Sequence, residues 1–340
     1  MKRLLACVIL AALLLSGCAG VQPAPKQYNA TFLTLFDTVT TIVGLADSQE
    51  AFQQTAQAVH DSLLVYHQLF DIYNDYPGIA NLKTVNDQAG IAPVKVDSRI
   101  IALLQDCKTF YTATGGKVNV AMGSVLALWH DARSHGISDP TTAQLPDAQA
   151  LAQAAGHSDI DRLVIDEEAS TVYLSDPEAR LDVGAVAKGW AVQQVAKTAP
   201  SGLLISVGGN VCATGPKDSA GTAWVVGIQD PDGGDKYLNT LSITEGSVVT
   251  SGDYQRTYLV EGKAYHHIID PETLYPSEYW RSVTVVCADS GAADALSTAL
   301  FLNSYEAGLA LLAEFGAEAM WVAADGSILY SPGFGALIRT

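Results

Sequence analysis

Asp294 and Thr298, in Ala293-Asp-Ala-Leu-Ser-Thr298, lie four residues apart and would share one face of a helix. Two hard oxygens with room for water and phosphate oxygens are what magnesium uses beside a nucleotide. The plainer alternative is an aspartate favoured near a helix N-terminus by the dipole, with the threonine there by chance. Lys188, in Asp182-Val-Gly-Ala-Val-Ala-Lys-Gly189, falls close to an expected helix start around Ala185. Free N–H groups and one ammonium can neutralise a phosphate there, although a lone lysine in that place is more often a solvated surface residue. His266-His267 precede Ile-Ile-Asp270-Pro271, and an imidazole beside a turn can take a proton near neutral pH. On a strand the two rings point to opposite faces, so one of them is expected in any one site, as base, zinc ligand or packed structural residue. Ser206-Val-Gly-Gly-Asn210 and Thr250-Ser-Gly-Asp-Tyr254 are polar turns, and the double glycine permits close backbone approach to a ligand.

These residues need elements to hold them. Residues 32–45 read as a strand or hairpin, and 48–70 as a helix with Ser48 as N-cap and Phe52, Ala56, Val59, Leu63 and Tyr66 in helical spacing. Helices are expected over 97–114, stopped by Gly115-Gly116, and over 124–134 and 147–155. Short strands at 162–165 and 171–174 precede a helix over 184–198 and a strand over 203–207. Strand signals then recur at 223–229, 238–244, 248–250, 257–260 and 264–269, with Glu261-Gly262 as a hairpin turn. A strand at 282–288, helices at 292–302 and 305–315, and a hairpin of 319–323 with 328–330 complete the pattern. A helix-rich first half and a strand-rich second half give an α+β or mixed α/β class, with a loop between sub-lobes expected at 136–143.

The 340 residues carry 36 acidic and 19 basic side chains, a formal charge of −17. Nucleic acid is excluded as the expected partner, because most of such a surface repels a phosphate backbone. With 49% apolar and only 16% charged residues, disorder is excluded as the main state. Residues 1–17 read as an export signal: Lys2 and Arg3, an apolar run over 4–15 too short for the ~20 residues of a membrane helix, then Leu15-Ser-Gly-Cys18. That tetrad resembles a bacterial lipobox, so Cys18 is the expected lipidation site and 18–28, with Pro23 and Pro25, a flexible tether. Cleavage there leaves 17 basic against 36 acidic residues, a charge of −19. Cys107, Cys212 and Cys287 sit among apolar neighbours and read as small buried hydrophobes. No P-loop, Gly-x-Gly-x-x-Gly, His-Glu-x-x-His or Gly-x-Ser-x-Gly is present, and Asp230-Pro-Asp232-Gly-Gly reads as a turn because a calcium loop would need Glu at Leu241.

In order and in sequence these pieces resemble the FAD:protein FMN transferases, the ApbE-like lipoproteins, from about Thr31 to Ala324. The matching segments are Phe36-Asp-Thr, Asp71-Ile-Tyr-Asn-Asp75, Gly116-Lys-Val-Asn-Val-Ala-Met-Gly123, Asp182 to Gly189, Ser206 to Asn210, Thr250-Ser-Gly252, His267-Ile-Ile-Asp-Pro271 and Ala293 to Thr298. The resemblance implies a T-fold-related arrangement of mixed sheets with packed helices, in one flavin transferase domain over 29–340. It implies an enzyme that breaks the pyrophosphate of FAD, links FMN through a phosphoester to a threonine of a partner protein and releases AMP. Asp294, Thr298 and the backbone carbonyl of Ala185 would then hold Mg²⁺, and Lys188 would contact FAD. Phe36, Tyr73, Asn74, Asp75, Asn119 and Ile268 would line the flavin nucleotide, and His267 would be the base for the acceptor hydroxyl. The implied partner is an exported or membrane-bound redox protein, met by a lipoprotein on the extracytoplasmic side of the cell membrane. An FAD pyrophosphatase and a flavin-binding lipoprotein without turnover are the competing readings.

Three departures from the family pattern stand out. Leu274 replaces the glycine of Asp-Pro-x-Thr-Gly-x-Pro, so the turn is expected to differ. Asn119 stands where aspartate is common, and Phe36 where methionine is frequent.

Overall fold

The computed structural model describes residues 24–234 and 236–339. In chain order these form β1 (Lys26–Leu35), β2 (Thr38–Ala46), α1 (Gln49–Phe70), α2 (Leu82–Asp87), β3 (Val94–Lys95), α3 (Ser98–Ala113), α4 (Gly123–Ser138), α5 (Ala148–Ala155), β4 (Leu163–Asp166), β5 (Thr171–Leu174) and α6 (Ala187–Ala196). The second half adds β6 (Leu203–Val207), β7 (Asn210–Ala213), β8 (Trp224–Gln229), β9 (Tyr237–Ile243), β10 (Gly246–Gly252), β11 (Tyr258–Val260) and β12 (Lys263–Tyr265). It ends with β13 (Ser282–Cys287), α7 (Ser290–Phe301), α8 (Tyr305–Phe315), β14 (Glu318–Val322) and β15 (Ile328–Tyr330).

An antiparallel sheet in the order β1-β2-β6-β7-β10-β13-β14-β15 organises the protein. Side chains alternate across it with the two-residue period of a strand. Leu203, Ile205 and Val207 of β6, with Val283 and Val285 of β13, enter the main core shared with α1, α3, α6 and α7. Val248, Met320 and Val322 enter the opposite face, which the β8–β9 hairpin covers with Trp224, Val226, Ile228 and Leu241. A third cluster joins Val125 and Trp129 of α4 to Leu151 of α5, Tyr258 of β11 and Ile269. The expected α+β class is observed.

Helix starts follow the sequence closely, because short polar side chains satisfy the first free N–H groups. Ser48 accepts from Ala51, Asp97 from Arg99 and Asp147 from Ala150. Cys107, Cys212 and Cys287 are buried thiols.

Elsewhere the structure corrects the expectations. The signal segment, Cys18 and the first part of the tether lie outside the described residues. The tether ends before residue 28, since Lys26, Gln27 and Tyr28 already pair with Ala46, Leu45 and Gly44. The loop expected to open at 136 is instead the end of α4, which runs to Ser138. Gly136 packs so closely on β11 that a Cβ there would sit 2.7 Å from the Tyr258 ring, and the loop itself begins at Asp139. The short α2 and β7 carry too few residues for a periodic signal. Leu274 adopts φ 63°, so leucine keeps the left-handed turn of a glycine rather than changing it. That conformation costs roughly 1–2 kcal/mol in a non-glycine residue. It is held by a hydrogen bond from the Leu274 N–H to the Asp270 carbonyl (2.8 Å) and by the Trp129 indole donating to the Leu274 carbonyl (2.9 Å).

Candidate active site

A cleft of about 660 Å³ opens where the ends of β10, α4, the start of α6, the middle of α7 and the loop after β12 converge. It is lined by Ala185, Lys188, Asn119, Tyr73, His266, His267, Ile268, Asp294 and Thr298, so segments up to 225 residues apart in the chain share one space.

The α6–α7 contact fixes the acidic end of this cleft. Helix α7 is built largely of Ala, Gly and Ser, and it packs against α6, β10 and β13. At Gly189 the helices nearly touch: a Cβ there would meet the Ser290 carbonyl and lie 2.5 Å from the Asp294 Cβ and 2.8 Å from Asn210 Nδ2. The Gly189 N–H donates to Asp294 Oδ2 (2.8 Å), and Lys188 Nζ stands 3.6 Å from the same oxygen. Lys188 also donates to the Gly184 carbonyl (3.3 Å). Ser297 donates to the Asp294 carbonyl and accepts from Ser251, which anchors α7 to β10 (2.9 and 2.8 Å). The helix expected to start at Ala185 begins at Ala187 instead. Gly184–Val186 form a turn, so Lys188 occupies the first helical turn. Gly189→Ala is expected to cost about 1–3 kcal/mol by overpacking. It should lower the urea midpoint and reduce turnover together, because relief requires shifting the α7 backbone at Ser290 and Asp294 with it.

Asp294 is 4% exposed, and burial raises its carboxyl above the ordinary range despite Lys188 and the Gly189 N–H. Among the described residues its Oδ1 accepts no hydrogen bond. The same residues contain no cluster of three or more His, Cys, Asp or Glu suited to a metal ion. An under-compensated buried carboxylate beside a hydroxyl and a free carbonyl fits a hard divalent cation that keeps several waters and shares phosphate oxygens. It does not fit zinc, and the histidine pair does not supply a zinc site either, because both nitrogens of His266 and Nδ1 of His267 are engaged, leaving one imidazole nitrogen.

His266 and His267 lie in the loop after β12 rather than on a strand, and both line the cleft, contrary to the expected division between two faces. His266 Nε2 donates to the Ser277 carbonyl (2.8 Å) and its Nδ1 accepts from the Ile268 N–H (3.2 Å), so this ring is a neutral fixture of the loop. His267 Nδ1 donates to the Gln255 carbonyl (3.1 Å), which leaves Nε2 with its lone pair available. Burial, then the neighbouring cations Arg256, Lys188 and Arg133 together with His266, lower the His267 pKa to about 3.

The other expected ligand residues divide. Tyr73 lines the cleft and stacks on His130 (5.2 Å, 30°); Ile268 is buried in the cleft wall. Asn119 lines it too, with its amide donating to the Ser158 carbonyl and accepting from the Ala121 N–H (2.8 and 2.9 Å). Asn74 and Asp75 do not line the cleft. Asn74 donates to Asp71, whose carboxylate also accepts from Tyr76 and from the Tyr73 and Asn74 N–H groups, folding the loop that presents Tyr73. Asp75 pairs with Lys83 (3.2 Å). Phe36 sits at the β1–β2 turn with φ 53° and meets His67 edge-on at 5.5 Å, while its neighbours Asp37 and Thr38 reach the cleft.

Two residues escaped the sequence reading, and a third, Asn210, reads there only as the end of a polar turn. Arg133 lies on the cleft side of α4, and its signal was an arginine in phase with Leu126, Trp129 and His130 on an apolar helix face. Arg256 follows β10 in the left-handed region (φ 48°), and nothing in its local sequence announces that. Asn210 accepts from the Ser290 hydroxyl (2.8 Å) while its buried Nδ2 has no partner among the described residues, leaving a spare donor in the cleft wall.

Comparison with known proteins gives a consistent picture. The ApbE family profile matches residues 36–321. The FAD:protein FMN transferase of Treponema pallidum is 37% identical over 271 residues, covering 74% of this chain and 73% of that protein. The enzyme of the same name from Klebsiella pneumoniae is 33% identical over 270 residues, covering 74% and 79%. The crystal structure of the ApbE protein of Thermotoga maritima superposes with a TM-score of 0.81 at 26% identity, covering 93% of this chain and all of that one.

Proposed function

Because the chain belongs to the ApbE family, we propose that it transfers FMN from FAD to a threonine of an acceptor protein through a phosphoester bond, releasing AMP. The observation that carries this reading is the meeting, in one cleft, of an imidazole with a free Nε2 and a lysine–carboxylate–hydroxyl set suited to a phosphate-bound cation. When bound between Asp294, Thr298 and the Ala185 carbonyl, Mg²⁺ would neutralise phosphate charge and stabilise the charge developing toward AMP. Lys188 adds a point charge on the same side. Attack by an alcohol on a phosphate anion is opposed twice, by repulsion and by a poor nucleophile. The protein answers the second with His267, whose Nε2 takes the hydroxyl proton while Gln255 holds Nδ1–H. Tyr73, Ile268 and Asn119 supply the wall against which the flavin half is positioned.

The acceptor in this proposal is an exported or membrane-bound redox protein. The enzyme meets it at the extracytoplasmic face of the cell membrane, where a lipid on Cys18 retains it. Incubating the purified chain with FAD, Mg²⁺ and a threonine-bearing acceptor should add the mass of FMN to the acceptor, as read by mass spectrometry. FMN released into solution with no labelled acceptor would make the protein an FAD pyrophosphatase. FAD retained unchanged would make it a flavin carrier.

A further inference from the structure

We propose that Arg133 and Arg256 form a second anion-binding locus in the cleft, which takes the phosphate of the dinucleotide not held at the Lys188–Asp294 end. The inference rests on the flavin transferase reading and adds to it the residues that recognise the second phosphate.

Both guanidinium groups line the same cleft, one from α4 and one from the segment after β10. Arg99 and Arg281 elsewhere in the fold pair with carboxylates at 2.7 and 3.2 Å. Among the described residues Arg133 and Arg256 make no such pair. Arg133 Nη2 lies 3.0 Å from His130 Nδ1, a neutral contact that orients the group without compensating it. Two like charges without a paired carboxylate in one half-enclosed space are costly, and burial and Arg256 together hold the Arg133 pKa down. Asp182 lines the same cleft and acts on both, yet among the described residues it forms an ion pair with neither, so one negative charge faces two positive ones. The charge is therefore matched to something that arrives.

The cations also come from different elements, Lys188 from α6, Arg133 from α4 and Arg256 from the segment after β10. Lys188 is the cation that acts on Asp294, whereas Arg256 and Arg133 act on Asp182, and His267 feels all three. The base shares one cleft with all three cations, and a diphosphate carries the negative charge that such a cleft would hold while its central linkage is attacked. Guanidinium suits this role better than ammonium, because its planar fork can meet two phosphate oxygens at once. Arg256 also keeps a left-handed backbone that a non-glycine residue adopts at a cost, and its neighbour Gln255 supplies the carbonyl that orients His267. The turn that presents the guanidinium therefore also sets the base.

Titration calorimetry of the full chain with FAD, riboflavin and inorganic pyrophosphate tests the locus. In the Arg133→Gln/Arg256→Gln double variant, FAD and pyrophosphate affinity should fall by about 10-fold or more, because charge-assisted hydrogen bonds are lost. Riboflavin, which has no phosphate, should bind as in the wild type. The Arg133→Lys/Arg256→Lys variant should recover part of the loss, and if the glutamine double variant unfolds, Arg133→Gln and Arg256→Gln singly should each weaken FAD and pyrophosphate but not riboflavin. Unchanged FAD affinity in the glutamine double variant, or an equal loss for riboflavin, would overturn the locus while wild-type FAD binding left the transferase reading standing. A wild-type chain that took up neither FAD nor pyrophosphate would overturn both.

Discussion

Asp294→Asn is expected to lower the transfer rate by about 10²–10³-fold, the several kcal/mol that a correctly held cation contributes to a phosphoryl transition state. The fold should survive and become no less stable. Asparagine keeps the volume of aspartate, and its amide oxygen can accept the Gly189 N–H that Asp294 Oδ2 accepts now. The substitution also removes a charge that burial disfavours, since the Asp294 carboxyl is already pushed upward in the folded protein. Breaking the contact to Lys188 offsets only part of that gain, because at 3.6 Å it is a loose pair. Two measurements separate the roles. Thermal unfolding without divalent ions should give a midpoint equal to or above the wild type. Added Mg²⁺ should raise the wild-type midpoint and leave the variant's unchanged, because a ligand stabilises only the state that binds it. A variant that kept its turnover, or that still responded to Mg²⁺, would remove Asp294 from the metal site.

The division between what the sequence disclosed and what it hid has a physical basis. Asp294 and Thr298 were legible because helical periodicity alone puts them on one face, and Ser48, Asp97 and Asp147 because capping is local chemistry. The i, i+1 rule for strands misled at His266-His267, since β12 ends at Tyr265 and the loop turns both rings toward the cleft. Asn74 and Asp75 were matched by likeness of sequence, yet Asn74 donates to Asp71 within the loop and Asp75 pairs with Lys83 of α2. The role of Asp71 itself was invisible, because it depends on four hydrogen bonds that exist only once the loop is closed. Leu274 shows the same limit from the other side. Its composition argued for a changed turn, and the contacts from Trp129 and to Asp270 hold the original one. Arg133 and Arg256 belong to elements more than 100 residues apart, and only their convergence gives them meaning. Local rules thus located the groups that act along one element, while tertiary contacts decided those that act across several.

His267→Ala should slow transfer by about 10²–10⁴-fold while FAD affinity stays close to that of the wild type, because the residue is assigned to the acceptor's proton and not to the phosphates. The pH dependence carries the sharper expectation. In the free protein the His267 pKa lies at about 3, depressed first by burial and then by Arg256, His266, Lys188 and Arg133. The ring is therefore neutral throughout the physiological range, and kcat/KM, which reports the free enzyme, should show no acid limb from this group near 6.5. A base so weakened takes a proton poorly. Bound diphosphate would place negative charge among the same cations and raise the pKa, so the base strengthens when the substrate is in place. The sign follows directly: in kcat, which reports the complex, the acid limb should lie at higher pH than in kcat/KM. Arg133→Gln/Arg256→Gln removes two of the cations that depress the pKa, so His267 should titrate at higher pH in the free variant. Its ring-proton shift, followed by NMR from pH 4 to pH 8, would report that movement independently of turnover. Coincident acid limbs in kcat and kcat/KM, or a His267 resonance already titrating near 6.5 in the wild type, would separate the base from the cations around it.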